Sequence, residues 1–204
     1  MWRARNAVSR SAIDPAAGID AVLNCAFALE ALVNDLTHFS DRFIDSNSSD
    51  SLKALKQILP LLEEERASTR LKYEAIIFIL SGKPFDHGGS LFSDFSFLFT
   101  IRNELAHPKL YVTEYADSEY KHTKKIERLI GHFRSRNLIE DIRKNSISDW
   151  TLLVQSAITA NWAYTFLIAF FTFLKDITPA SKFREWSFEH CFSSGGCIGY
   201  DTTQ

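Results

Sequence analysis

The stretch FSDFSFLFTIRNELAHP, from Phe92 to Pro108, joins an aromatic helical pattern to a polar end. Its large apolar residues recur at helical spacing, at Phe92, Phe95, Leu98 and Phe99. We therefore predict a helix from about Leu91 to His107, because a proline disfavours helical geometry in the residue before it. Arg102 continues the apolar stripe, so we expect its side chain on the same side as buried rings.

Three polar side chains gather at the end of this helix: Arg102, Asn103 and His107. An arginine can hold a phosphate through two hydrogen bonds and stabilise the charge of a five-coordinate phosphorus. A histidine that titrates near neutrality can act as general acid or base. Asn103 lies four residues before His107 and is placed to orient its imidazole. Binding a phosphate and moving a proton are the two needs of metal-free RNA cleavage.

Arg102 and His107 are separated by about 140° around an ideal helix, so one copy of the helix does not present them on one face. A two-fold dimer that packs two such helix ends together would supply both groups to one cleft. The structural alternative is that Arg102, Asn103 and His107 cap the free carbonyls of a helix C-terminus, which is a common use of these residues.

The first long helix is expected to open at Asp14 and Pro15 and to run to about Phe43, because a proline is well tolerated in a first turn. Glu30 falls inside its apolar stripe, where it is either paired, or faces a polar cavity, or lies partly exposed at the stripe's edge. The apolar residues of this stripe are Ile19, Val22, Leu23, Ala26, Phe27, Val33 and Leu36.

Helical patterns continue through most of the remaining chain. Pro60 is expected to kink or restart the segment from Leu52 to Leu80, which Ser81 and Gly82 end. A charged helix is predicted from about Ser118 to Lys144, broken near Asn137, and a last helix begins near Ser148 as its N-cap. The sequence therefore predicts an all-α fold, a helical bundle of about five main helices.

Composition restricts the chemistry further. A net charge of −2 over 204 residues gives no global basic field, so nucleic-acid binding has to come from a local patch. The 17 phenylalanines indicate a core of large rings, or a core together with a hydrophobic interface. Cys25, Cys191 and Cys197 do not suggest a disulfide scaffold, and His190 near the last two lacks the spacing of a metal site. We predict no metal and no cofactor.

The run from Thr151 to Leu174 carries no charge and is long enough to cross a membrane. Its polar residues and the lack of a basic flank favour the central buried helix of a bundle, so no membrane partner and a cytoplasmic location are expected. The predicted organisation is a flexible N-terminus over residues 1–13, a helical domain over 14–176 and a partly mobile extension over 177–204.

The sequence resembles the HEPN superfamily over more than the polar end of the predicted helix. The resemblance rests on two segments, ALEALVNDL (Ala28 to Leu36) and the stretch from FILSGKPFDHG to FSDFSFLFTIRNELAHP (Phe78 to Pro108). Both segments look like those of HEPN proteins from defence and toxin systems. Such domains are all-α and often dimeric, and many are metal-independent endoribonucleases with an R-x4-6-H motif and a polar residue after the arginine. The motif falls here on Arg102, Asn103 and His107.

The resemblance implies an RNA substrate, a homodimer with a composite site and 2′,3′-cyclic phosphate products, with Arg102 and His107 catalytic and Asn103 supporting. Lys109 is a possible additional RNA contact. A toxin or phage-defence effector with an antitoxin or regulatory partner is expected, although Lys109 stands where one antitoxin-paired subgroup carries tyrosine. The alternative is a non-catalytic helical module with the same fold that binds proteins or nucleotides.

Overall fold

The structure is a computed structural model that describes residues 1–14, 16–107, 114–116, 119–121, 123–139 and 149–189. It confirms the predicted all-α class. Within those residues, six helices have 12 or more residues, rather than the five expected. The elements in chain order are α1 (Trp2–Ser11), α2 (Ala16–Phe43), α3 (Asp50–Glu64), α4 (Thr69–Ser81), α5 (Ser90–Ala106), β1 (Glu114–Ala116), β2 (Glu119–Lys121), α6 (Lys124–Ser135), α7 (Thr151–Val154), α8 (Ala157–Ile177) and α9 (Lys182–Arg184), followed by a π-helical turn (Glu185–Glu189).

The chain folds into two compact units, each made of separate chain segments. Among the described residues, the first unit contains 1–2, 27–92 and 167–189, and so includes α3, α4 and α9. The second contains residues 3–26 and 93–166, and so includes the hairpin, α6 and α7. Helices α1, α2, α5 and α8 each contribute residues to both units.

Helix α1 occupies most of the segment for which the sequence predicts a flexible N-terminus. Small residues let this helix pack closely, because Ala4 and Ala7 are three positions apart and share a face. Both are 1% exposed, and Ala7 packs in a cluster with Ala21 and Ala160. A face of alanines lets helices approach closely, so the basic residues of α1 can remain outside.

Helix α2 begins and ends close to the predicted positions. The Asp14 carboxylate accepts a hydrogen bond from the amide of Ala16 at 3.0 Å, which satisfies one of the free amides of the first turn. The predicted stripe is wrong at Phe27, which is 47% exposed. Glu30 is half-buried. Burial raises the pKa of the Tyr73 hydroxyl, and the nearby charge of Glu30 raises it further.

The break between α3 and α4 lies after Pro60 and not at it. Pro60 is exposed and sits inside α3, where water can reach the carbonyl that loses its amide partner. The helix instead ends at Glu64, Arg66 takes a left-handed φ of 52°, and Ser68 caps α4 through the amide of Leu71. Gly82 ends α4 as predicted, with a φ of 70°.

Two further predictions of helix bounds are wrong. The charged helix does not begin at Ser118, because Glu119–Lys121 pairs antiparallel with Glu114–Ala116, and α6 starts only at Lys124. It ends before Asn137, where the φ of 54° agrees with the expected break. The last helix is divided at Ser156, whose hydroxyl accepts from the Thr159 amide at 3.1 Å and so caps a new helix, α8. Ser148 lies outside the described residues.

Two helices, α2 and α8, are long and apolar enough to cross a membrane by length and composition alone. The core helix of a soluble protein has the same properties, and 50% of the apolar window in α2 and 44% of that in α8 are buried inside the protein. Helix α8 contributes Phe166, Leu167 and Phe170 to the buried core.

Candidate functional site

Helix α5 carries the predicted site and is buried on a broader face than the sequence predicts. Phe95 and Leu98 are buried, as expected, but Phe97 and Ile101 are buried as well. Phe97 packs edge-on against Phe133 of α6, with 5.0 Å between the ring centroids. This arrangement stabilises the packing by more than the burial of apolar area alone would. Neighbours on more than one side of α5 therefore fix the direction in which its polar residues project.

Arg102 is half-buried, in agreement with its place on the apolar stripe. Its Nη1 donates a hydrogen bond to the side-chain oxygen of Asn103 at 3.0 Å. The Asn103 side chain therefore binds the guanidinium, whereas the sequence predicts that it orients His107. Across the described residues, no side-chain hydrogen bond joins Asn103 to the imidazole. An amide oxygen beside a guanidinium accepts a charge-assisted bond, which is stronger than a bond between two neutral groups.

His107 lies one residue after the last residue of α5 and is exposed. Its backbone amide still donates to the Asn103 carbonyl at 3.0 Å, so the helical turn continues to this residue. The imidazole is thus presented to solvent from a nearly helical position. The structure joins the side chains of Arg102 and Asn103 by a hydrogen bond, and His107 takes no part in it. Lys109 lies outside the described residues.

A groove next to this helix end was not found from the sequence. It lies between α5 and α6, has a volume of about 180 Å³, and is lined by Thr100, Glu104, Lys125, Ile126, Arg128, Leu129 and His132. Lys125 forms an ion pair with Glu104 across it, and the Glu104 side chain is only 11% exposed. The sequence places Thr100 and Glu104 on one face of α5, and Lys125, Arg128 and His132 on one face of α6, but no spacing in it indicates that the two faces meet.

Helix α6 forms a local basic surface, although the chain as a whole has a net charge of −2. Its residues from Lys124 to Ser135 include Lys124, Lys125, Arg128 and Arg134 against a single acid, Glu127. Its opposite face, with Leu129 and Phe133 among others, is buried. The helix is therefore amphipathic, and its cations face outward beside α5.

Arg136 follows α6 and attaches it to the start of α5. Its Nε donates to Asp94 Oδ1 at 2.7 Å, and its Nη2 donates to the Ser93 hydroxyl at 2.6 Å. The guanidinium also lies over the Phe97 ring, 4.4 Å from its centre. Partial burial, and secondly the charge of Arg136, lower the pKa of His132 below its usual range. His132 is therefore mainly neutral at physiological pH.

A second polar cluster, in the first unit, surrounds Phe92. His87 stacks on this ring at 4.1 Å, and its Nε2 lies 3.0 Å from Glu74. Arg70 donates to the same carboxylate at 2.9 Å and lies over the same ring. These contacts satisfy one another and join the loop before α5 to α4.

Cys25 is a buried free thiol, and burial raises its pKa to about 12. It is therefore protonated and unreactive at physiological pH. The parts of the chain that the structure describes hold no group of three His, Cys, Asp or Glu residues able to bind a metal ion. His190, Cys191 and Cys197 lie outside them.

The HEPN resemblance rests on the residues from Phe78 to Pro108 and on the early helix that contains Ala28 to Leu36. Comparisons of the chain with protein-family models, with curated proteins and with solved structures find no match.

Proposed function

We propose that this protein is a metal-independent endoribonuclease of the HEPN type, acting in the cytoplasm as a toxin or phage-defence effector. The observation that carries the proposal is the end of α5. There a half-buried Arg102 is held by Asn103, and an exposed His107 follows within the same helical turn. A fixed cation and an accessible imidazole suit phosphate binding and proton transfer.

In the proposed reaction, the 2′-oxygen of a ribose attacks the adjacent phosphorus. The P–O2′ bond forms, the P–O5′ bond breaks, and the 2′-hydroxyl proton leaves as a proton is delivered to the departing O5′. His107 moves the proton, and Arg102 stabilises the negative charge on the five-coordinate phosphorus. Asn103 holds the guanidinium in place, and the products carry a 2′,3′-cyclic phosphate and a 5′-hydroxyl.

A dimer completes the proposed site. Since Arg102 and His107 diverge around α5, a second copy of the helix end is needed to direct both groups at one phosphate. A two-fold arrangement would create two equivalent arginine–histidine pairs. An antitoxin or another regulatory partner would have to cover or separate this shared cleft in order to inhibit the enzyme.

RNA binding is supported by the charge distribution around α5. The chain as a whole has a net charge of −2, so long-range attraction of RNA is weak. Helix α6, however, presents four cations and one acid and pairs with α5 through Lys125 and Glu104. A local surface of this kind is sufficient to bind a phosphate backbone.

The test is cleavage of end-labelled single-stranded RNA by the purified protein in EDTA. Wild type should give fragments with 2′,3′-cyclic phosphate ends, and His107→Ala and Arg102→Ala should each be at least ~100-fold slower. His38→Ala and Arg42→Ala are matched controls, since both residues are exposed on α2, and both should cleave as wild type. Equal activity of His107→Ala and wild type, or no cleavage of varied RNAs by either, would refute the proposal.

The alternative is a non-catalytic binding module, and exposed apolar residues in the first unit favour it. Leu71 and Phe78 lie seven residues apart on α4 and are 48% and 57% exposed, and Leu61 of α3 is 54% exposed. This alternative predicts that Phe78→Glu changes the sedimentation coefficient, while His107→Ala changes no reaction. Both variants can be examined beside the RNA assay.

A further inference from the structure

The groove between α5 and α6 lies on the same side of α5 as His107. Thr100 and Glu104 line it, and His107 follows Glu104 by three residues. Positions spaced by four and then three residues fall on one face of a helix. Because the His107 amide keeps the helical turn, the groove leads towards the imidazole, about 4.5 Å further along the helix axis than Glu104.

The charge of the groove is positive after its ion pair is counted. Lys125 and Glu104 neutralise each other across it. Arg128 is exposed, and within the described residues no carboxylate pairs with it. Glu104 is the only acid among the residues that line the groove, so an anion placed at Arg128 meets no unpaired carboxylate there.

The size and floor of the groove limit what it can hold. Its volume of about 180 Å³ is several times the roughly 30 Å³ that one water occupies in the liquid, and below the range of pockets for drug-sized ligands. Ile126 and Leu129 give it an apolar floor, and both are buried. The apolar floor therefore suits the base of one nucleotide, while its sugar and phosphate lie on the exposed cationic rim.

We infer that this groove binds one nucleotide of single-stranded RNA next to the scissile linkage, with its phosphate on Arg128 and its base over Ile126 and Leu129. The inference rests on the proposed function and assigns the substrate contact on which that function depends. It also explains how a protein with a slightly negative net charge holds RNA in register with His107, because a bound neighbouring nucleotide fixes the position of the reacting phosphate.

Binding can be measured without cleavage by using a fluorescent 2′-O-methyl RNA strand, which has no 2′-hydroxyl to attack. Fluorescence anisotropy at several salt concentrations gives both the Kd and its salt dependence. Arg128→Gln should weaken binding by on the order of tenfold at low salt. It should also reduce the slope of log K against log salt by about 0.7, the value for one phosphate contact on a single strand.

Two further variants separate charge from shape. Thr100→Tyr places a ring in the groove without changing charge, and it should weaken binding while the salt slope stays the same. Lys83→Gln removes an equal charge from an exposed loop residue and serves as the control, which should bind as wild type. Thermal melts show whether each variant is folded.

The results distinguish this inference from the proposed catalysis. Affinity and salt slope that are unchanged in both Arg128→Gln and Thr100→Tyr would overturn the groove assignment, even if wild type cleaves RNA. Weaker binding in both variants, with no cleavage of ordinary RNA by wild type, would support the groove and refute the ribonuclease. Equal weakening by Lys83→Gln would show non-specific attraction and also overturn the assignment.

Discussion

Removing the Arg136 side chain should loosen the attachment of α6 to α5 more than any other single change in α6 or its C-terminal end. The side chain is 12% exposed and binds Asp94, which is 28% exposed. Arg136→Ala would therefore remove the cation from a largely buried pair and leave the carboxylate without this partner. It would also remove the bond to the Ser93 hydroxyl and the contact with the Phe97 ring.

The expected loss of stability follows from these contacts. A hydrogen bond to a charged group contributes about 1.5–3 kcal/mol, and a partly exposed cation–π contact about 0.5–1 kcal/mol. Breaking a fully buried pair costs roughly 3–5 kcal/mol, but the exposure of Asp94 lets water screen its charge. We therefore expect a loss of about 2–4 kcal/mol for Arg136→Ala and about half of that for Arg136→Lys, which keeps the charge but loses the planar fork.

Two measurements check this expectation. A loss of this size lowers the Tm of a chain of 204 residues by roughly 4–16 °C, since each kcal/mol corresponds to about 2–4 °C. Hydrogen exchange of peptides from α6 reports the same loosening locally, and this matters because the chain forms two units. Arg134→Ala is the matched control, since Arg134 is exposed near the same helix end and should change stability by less than about 0.5 kcal/mol.

A double-mutant cycle with Asp94→Ala isolates the pair. If the Arg136–Asp94 bond accounts for most of the loss, adding Asp94→Ala to Arg136→Ala should cost little more. The pKa of His132, followed by NMR, should also rise in Arg136→Ala, because the nearby positive charge that lowers it is removed. Equal stability of Arg136→Ala and Arg134→Ala, together with an unchanged pKa of His132, would refute this reasoning.

Three further predictions concern buried positions. Gly18→Ala should lower the Tm, because a Cβ atom there would lie 2.7 Å from the Val154 carbonyl oxygen, a clash that outweighs the gain in helix propensity of about 1 kcal/mol. Tyr73→Phe should cost about 0.5–1.5 kcal/mol in urea unfolding, since the buried hydroxyl donates to the Leu29 carbonyl at 2.6 Å. Burial raises the pKa of Cys25 from 9.0 to about 12. The contribution of the neutral thiol to the free energy of unfolding is therefore complete below pH 9 and is lost as the pH rises towards 12. Thermal melts of Cys25→Ala should accordingly fall less steeply with pH over that range than those of wild type, and an equal fall would contradict the assignment.

Helix bounds could be predicted from the sequence where a local interaction sets them. Gly82 ends α4 because its φ of 70° suits a residue without a side chain, and Asp14 opens α2 by accepting a hydrogen bond from the amide of Ala16, two residues later. The predicted helix bounds were wrong where two local signals compete. Ser156 caps α8 within an apolar run that reads as one continuous helix, and Pro60 is accommodated because it faces water.

The chemistry at the end of α5 was predictable in its residues but not in its contacts. Arg102, Asn103 and His107 are neighbours in the chain, so their presence at one helix end follows from the helix itself. Which partner Asn103 selects depends on side-chain directions, and the bond to Arg102 was not expected. The groove was missed because Glu104 and Lys125 are 21 positions apart, and no pattern within one helix joins them.

The sequence alone determined an all-α protein and a polar cluster at the end of one aromatic helix, because helical periodicity and capping act between residues a few positions apart. The tertiary structure decided which faces are buried, with Phe97 inside and Phe27 outside. It also decided that a basic helix lies beside the polar cluster, attached by Lys125 and Arg136. Burial and ion pairing depend on distances through space, and these are fixed only when distant segments pack together.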